Sequence, residues 1–198
     1  MNRKEKEILL RKELIIDAAE ELFIESGFEK TTMDNIAEKA EYTKPTLYKY
    51  FKNREDILFA FYMRGWKRSD EQIDNELDEN VVGFNQLISI AFSYCNYFEN
   101  NPVYFKLLNY LQSHAVKLNE DTERKNIHRE ESDKFRSKIK NTIKIGIQDK
   151  SISINTDLEL LVNFFHNNIY IIMFSFYNKS DLPENYIKNA INLMMKVF

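Results

Sequence analysis

The sequence predicts an all-α protein, with a short group of helices at the start and a longer helical portion after it. Three observations carry this. Only four glycines and three prolines punctuate 198 residues, too few for the many turns of a β fold. Apolar residues recur three and four apart through most of the chain. Helix-start chemistry (Thr, Asp, Pro) precedes several of these periodic stretches. At 43% hydrophobic and 30% charged residues the composition is that of a soluble globular protein, long enough for one large domain or a small one joined to a larger.

The elements follow in order. Residues 8–26 form a first helix: Leu14/Ile15, Ala18/Ala19 and Leu22/Phe23 repeat at helical spacing, and Gly27 is placed to stop it. Residues 31–40 form a short second helix with a threonine cap and Asp34 in its first turn, where negative charge is favoured. Thr43 is the next cap candidate, and Pro45 falls in a first turn, where its missing N–H costs nothing. The third helix then runs over 43–51 with Leu47 and Phe51 on its buried side. A fourth helix starts near Asn53 and runs toward Leu77. Helices over 84–99, 103–118, 120–148 and 157–177 follow, and a last one starts near 180–183. Ile127, Phe135, Ile139 and Ile143 form a narrow apolar stripe in the polar 120–148 stretch, and 146–155 is expected to hold a loop.

Several function classes find no support. The three histidines, His114, His128 and His166, are dispersed without ligand spacing, so no metal site is expected. No GxSxG, phosphate-binding loop or GxGxxG occurs, and no catalytic set or cofactor is predicted. The single Cys95 cannot form an internal disulfide, which fits a reducing cytoplasm. The first 23 residues mix charge into every turn, unlike a signal peptide. The apolar 160–177 stretch is interrupted by Asn163, His166, Asn167 and Asn168, so a membrane span is not expected. A helix that is apolar nearly all round is expected to be covered by a core on one side and a partner on another.

The net charge is −3, yet residues 43–54 (TKPTLYKYFKNR) hold Lys44, Lys49, Lys52 and Arg54 and no acid. With Leu47 and Phe51 turned inward, Lys44, Pro45, Thr46, Tyr48 and Lys49 are left facing outward. An exposed tyrosine among lysines suits a DNA groove: the ring packs on sugar or a thymine methyl, and the cations meet phosphate or guanine. Residues 1–12 carry a second excess, five cations against Glu5 and Glu7. A solvated amphipathic helix would explain the charges alone, but not the capped helix and tight turn that precede them.

The stretch AAEELFIESGFEKTTMDNIAEKAEYTKPTLYKYFKNREDIL resembles the N-terminal domain of the tetracycline-repressor (TetR) family of bacterial regulators. The resemblance implies an N-terminal three-helix helix-turn-helix DNA-binding domain over residues 1–53 and a C-terminal helical ligand-binding and dimerisation domain over 54–198. It implies groove or phosphate contacts from Thr43, Lys44, Pro45, Thr46, Tyr48, Lys49 and Tyr50, and phosphate contacts from Thr32, Lys52 and Arg54. It further implies a homodimer formed through the last two helices, a palindromic double-stranded operator, and repression relieved by a small effector. Three positions depart from the pattern: Glu41 stands where glycine is usual in the turn, Tyr42 where a small aliphatic is usual, and Pro45 where glycine is common.

Aromatics crowd the C-terminal half, and Tyr94, Phe98, Tyr110, Phe165 and His166 are candidates to line a pocket for a largely apolar effector. For any one of them, filling a core is the stronger reading. A DNA-binding structural or adaptor protein without an effector is the alternative function.

Overall fold

The computed structural model describes residues 2–113, 122–153 and 156–198; His114 and the expected end of the 103–118 helix lie outside them. Nine α-helices occur among the described residues: α1 (Arg3–Ser26), α2 (Met33–Lys39), α3 (Lys44–Tyr48), α4 (Arg54–Glu76), α5 (Gly83–Asn100), α6 (Pro102–Ser113), α7 (Thr122–Gln148), α8 (Leu158–Asn178) and α9 (Tyr186–Met194), with a closing 3₁₀ turn at Met195–Val197. No strand is present among the described residues.

The chain divides into two compact units. The first is the chain up to Gly65 with α6 from Val103; the second is Trp66–Pro102 with the chain from α7 to Phe198. In the first, Ile15, Ala19, Phe23, Ile36, Leu47, Ile57 and Phe61 are buried. Phe61 joins Phe23 (ring centroids 5.4 Å apart) and stacks on Tyr104 at 4.4 Å. Arg64 is the buried charge of this unit. Its guanidinium donates to Asp17 (2.5 Å), Glu20 (2.6 Å) and, more distantly, Glu13 (3.4 Å), tying α4 to one face of α1. Its burial is offset by the three acids and by the ring of Phe61, over which it lies.

In the second unit α5 packs on α7, α8 and α9, and α8 also packs on α7 and α9. The start of α5 is capped from afar: the Gly83 N–H donates to the Asp149 carboxylate (2.7 Å) and the Phe84 N–H to the Ser151 hydroxyl (3.0 Å). A bond from the Ser151 hydroxyl, with those from the Gly83 and Ser151 N–H groups, holds the Asp149 carboxyl below the usual carboxylate range.

Three boundaries and one buried position differ from the sequence expectation. Helix α1 begins five residues early because the Asn2 side chain accepts from the Glu5 N–H while Glu5 accepts from the Asn2 N–H, a capping box. Gly146 is helical instead of starting a loop; a Cβ on Gly83 would come within 2.2 Å of its backbone nitrogen, so the two glycines let the chains touch. Ile127 is exposed, leaving Phe135, Ile139 and Ile143 as the buried stripe. The last helix starts at Tyr186, after Asn185 takes a left-handed conformation (φ 61°).

Candidate nucleic-acid interface

Helix α2 starts with a second capping box. The Thr32 hydroxyl accepts from the Asn35 N–H at 3.2 Å, and the Asn35 side-chain Oδ1 accepts from the Thr32 N–H at 3.1 Å. It ends in a Schellman turn: the Tyr42 N–H donates to the Ala37 carbonyl (2.8 Å) and the Glu41 N–H to the Glu38 carbonyl (3.1 Å). This geometry needs a left-handed residue, and Glu41 supplies it with φ 57°. Here a glutamate bears the strain that glycine would avoid. Tyr42 has a use as well, since its ring packs on Tyr50 at 6.4 Å. Both departures in the turn thus have a structural place.

Helix α3 is five residues long, shorter than the sequence predicts, with i to i+3 bonds carrying the chain through Lys49 and Tyr50. The Thr43 carbonyl accepts from the N–H groups of Thr46 and Leu47, but its hydroxyl does not cap; it pairs with the Thr46 hydroxyl at 2.9 Å. Leu47 is fully buried and Phe51 nearly so, which anchors the helix from beneath. Thr43, Lys44, Pro45, Tyr48, Lys49 and Lys52 are exposed, Thr46 and Tyr50 half-buried. Tyr48 keeps 51% of its surface open, a large apolar area to leave in water. Lys44 reaches back to Asp34 of α2 at 2.6 Å, the only carboxylate paired with an α3 lysine among the described residues.

Arg54, expected to meet phosphate, bonds to backbone of its own chain. Its guanidinium donates to the Phe28 carbonyl at 2.7 Å, and at 3.4 Å to the carbonyls of Glu29 and Thr31 and to the Tyr110 hydroxyl. Cation and carbonyls satisfy each other, so Arg54 holds the bend between α1 and α2 and, through it, the start of α2. The sequence carried a signal for this: a bend of six residues, 27–32, with six carbonyls and one glycine needs a donor from outside itself.

Four of the five candidate effector residues, Tyr94, Phe98, Phe165 and His166, lie in the second unit. Tyr94 stacks on Phe135 (5.7 Å) and packs on Phe98 (4.8 Å), while His166 meets the same Phe135 at 5.9 Å. Phe165 is fully buried and packs on Phe198. Tyr110 belongs to the first unit, where its ring meets Phe28 at 5.5 Å. The space between Trp66, Ile73, Tyr94 and Phe135 is only about 10 Å³. A larger open groove of about 1060 Å³ in the second unit is lined mainly by polar and charged side chains, among them Asp74, Glu130, Asp133, Lys134 and Lys138. Burial lowers the proton affinity of His166, so its imidazole is neutral to a lower pH than usual. Burial pushes the Cys95 thiol up to about 12, so it stays protonated and unreactive. No group of acids, histidines or cysteines arranged for a metal occurs among the described residues, and no described helix is long and apolar enough to cross a membrane.

Residues 15–61 match the family described as "Bacterial regulatory proteins, tetR family". The fatty acid metabolism regulator protein of Bacillus subtilis is 33% identical over 73 residues, 37% of this chain and 38% of that protein. The Transposon Tn10 TetC protein of Escherichia coli is 32% identical over 87 residues, 44% of each chain. The alignments thus span less than half the length of these curated relatives. Along the whole fold, a TetR/AcrR-family transcriptional regulator from Thermobifida fusca superposes with a TM-score of 0.75 at 18% identity, covering 95% of this chain and 98% of that one. The fatty acid degradation regulator FadR of Bacillus halodurans does so with a TM-score of 0.70 at 17% identity, covering 93% and 94%. With the capped α2, the Schellman turn that follows it and an exposed lysine–tyrosine face seated on Leu47, residues 15–61 carry the pattern of the tetR family of bacterial regulatory proteins.

Proposed function

We propose that this protein is a DNA-binding transcriptional repressor that reads a palindromic operator as a homodimer and is released by a small, largely apolar effector. Residues 1–53 read the DNA, and residues 54–198 sense and dimerise. The observation that carries the reading is the α3 face, where exposed Tyr48 stands between Lys44 and Lys49 on a buried Leu47. Thr43, Pro45 and Thr46 complete the surface for the major groove; Thr32, Tyr50 and Lys52 meet phosphate.

Dimerisation is supported by what α8 and α9 leave uncovered. Leu160, Ile171 and Phe174 lie on one side of α8, and Leu193 and Val197 follow on α9 and the closing turn, all exposed. Five large apolar side chains at helical spacing on adjacent helices suit a second copy of the same surface. Two-fold symmetry then presents two α3 helices to two half-sites.

The effector is carried by less. Trp66, Tyr94, Phe98, Phe135 and His166 supply apolar walls, but they fill their own space. That packing favours the second reading, an adaptor of the same fold with no small-molecule effector. A thermal-shift panel of apolar ligands separates the two: stabilisation by a ligand that also lifts operator binding supports release, and a flat panel supports the adaptor.

The DNA reading is tested with Tyr48→Ala/Lys49→Ala in the full chain. Operator binding is expected to vanish in a gel-shift titration while circular dichroism and oligomeric state stay as in the wild type. Unchanged affinity would remove α3 as the reading helix.

A further inference from the structure

We propose that the first turns of α1 form a second DNA-binding surface, one that grips phosphates flanking the sequence read by α3. The inference rests on the DNA-binding reading above and extends it to residues that the family pattern, which begins at residue 15, does not touch.

No residue from 2 to 10 packs into a core, and the first fully buried side chain of α1 is Ile15. Twelve residues of helix before that point reach about 18 Å, roughly half a turn of duplex. This segment carries Arg3, Lys4, Lys6, Arg11 and Lys12 against two acids, and both acids are engaged locally: Glu5 closes the capping box, and Glu7 bonds Arg11 at 2.7 Å. Arg3, Lys4 and Lys6 form no ion pair among the described residues. The cations therefore present an uncompensated positive field to solvent.

Continuity with α3 decides what that field meets. The Lys12 ammonium lies over the ring of Phe51, 5.6 Å from its centroid. Lys4, Ile8, Arg11 and Lys12 share one side of α1 at helical spacing, so Lys4 prolongs a line that starts at the exit of α3. A duplex lying against Tyr48, Lys49 and Lys52 runs on past this line, and its phosphates are the nearest dense negative charge. The exposed Leu10 and Leu14 are turned away from Lys12, with Leu14 next to Arg11 at i+3, and a protein partner on those leucines is a separate outcome of the test.

The test compares two duplexes, selected from a random pool by the wild-type chain: the minimal bound sequence, and the same sequence extended by about one helical turn (~10 base pairs) at each end. Affinity is measured against salt for the wild type and for Arg3→Gln/Lys4→Gln/Lys6→Gln, which keeps the Asn2–Glu5 capping box. On the extended duplex the variant is expected to lose about 0.9 in log–log slope for each phosphate contact removed, up to roughly 2.7 per protomer. On the minimal duplex it is expected to match the wild type. Equal slopes for both proteins on the extended duplex would overturn the flanking grip, as would a variant whose only change is weaker self-association. Tyr48→Ala/Lys49→Ala serves as the control that separates the readings: if it abolishes binding to both duplexes while the triple variant keeps the full slope, α3 reads DNA and α1 does not. Wild-type protein that selects no duplex would overturn both.

Discussion

Aromatic side chains are used in opposite ways by the α2–α3 region and by the α5–α7–α8 bundle. In the α2–α3 region Tyr48 is left open among lysines, and Tyr42 and Tyr50 cover each other part-buried at the surface. In the α5–α7–α8 bundle Tyr94, Phe98, Phe135 and Phe165 are buried against one another or against Phe198. The same residue class therefore marks a surface in one region and a core in the other, and neighbouring cations distinguish the two. Substitutions in the bundle should move stability and leave the affinity of folded molecules alone. Substitutions at α3 should do the reverse.

The largest expected effect is Phe165→Ala. A fully buried phenylalanine removed from a close-packed bundle costs about 3–5 kcal/mol, read as a lower thermal midpoint. Below that midpoint the operator affinity of the folded fraction should be that of the wild type. A variant that kept its midpoint but lost affinity would mean the bundle's core is not where its stability lies. Gly83→Ala comes next. Its methyl group would meet the Gly146 backbone, which cannot swing aside, so the α5–α7 contact must open at a cost of about 1–3 kcal/mol. Denaturant titration checks it, and a neutral result would contradict the close approach of the two helices.

Much of this organisation was legible from residues 14–62, because a short helix needs every local signal to agree. The Thr32 cap, Pro45, the inward phase of Leu47 and Phe51, and the acid-free 43–54 stretch all point to the same surface. The start of α1 was legible in principle from Asn2 and Glu5, but two residues of capping chemistry are easily lost beside a charge-rich stretch. The bonds of Arg54 to carbonyls were not legible, because an arginine at a helix start reads the same whether it faces phosphate or carbonyls. The bundle was less legible. Its helices are fixed by contacts far apart in sequence, such as Gly83 with Gly146 and Asp149 with the start of α5, which no local pattern announces. Aromatic content alone could not distinguish a filled core from a walled cavity.

A smaller effect is expected at the turn. Glu41→Gly relieves a left-handed non-glycine residue, which stabilises by about 1–2 kcal/mol, less the roughly 0.5–1 kcal/mol by which a flexible glycine favours the unfolded chain. A net gain near 1 kcal/mol in a denaturant titration is the expected outcome. A net loss would show that the glutamate side chain contributes something its exposed position does not suggest.

The smallest change in stability, and the sharpest discrimination between the regions, is expected from Asp34→Asn. The Lys44–Asp34 pair is exposed at both ends, so breaking it changes stability by no more than about 0–1 kcal/mol. Its effect on DNA binding should be larger and of opposite sign. In the free protein Asp34 holds the Lys44 ammonium at 2.6 Å, and a phosphate must compete with that carboxylate for the same cation. Asparagine removes the competitor and one negative charge beside the reading surface, so operator affinity should rise several-fold, most clearly at low salt where surface charges are least screened. Lys44→Ala should weaken binding and reduce the salt slope by about 0.9. If both substitutions weakened binding alike, the pair would be acting as a brace that sets the pitch of α3 on α2, and Lys44 would position the reading surface instead of touching DNA.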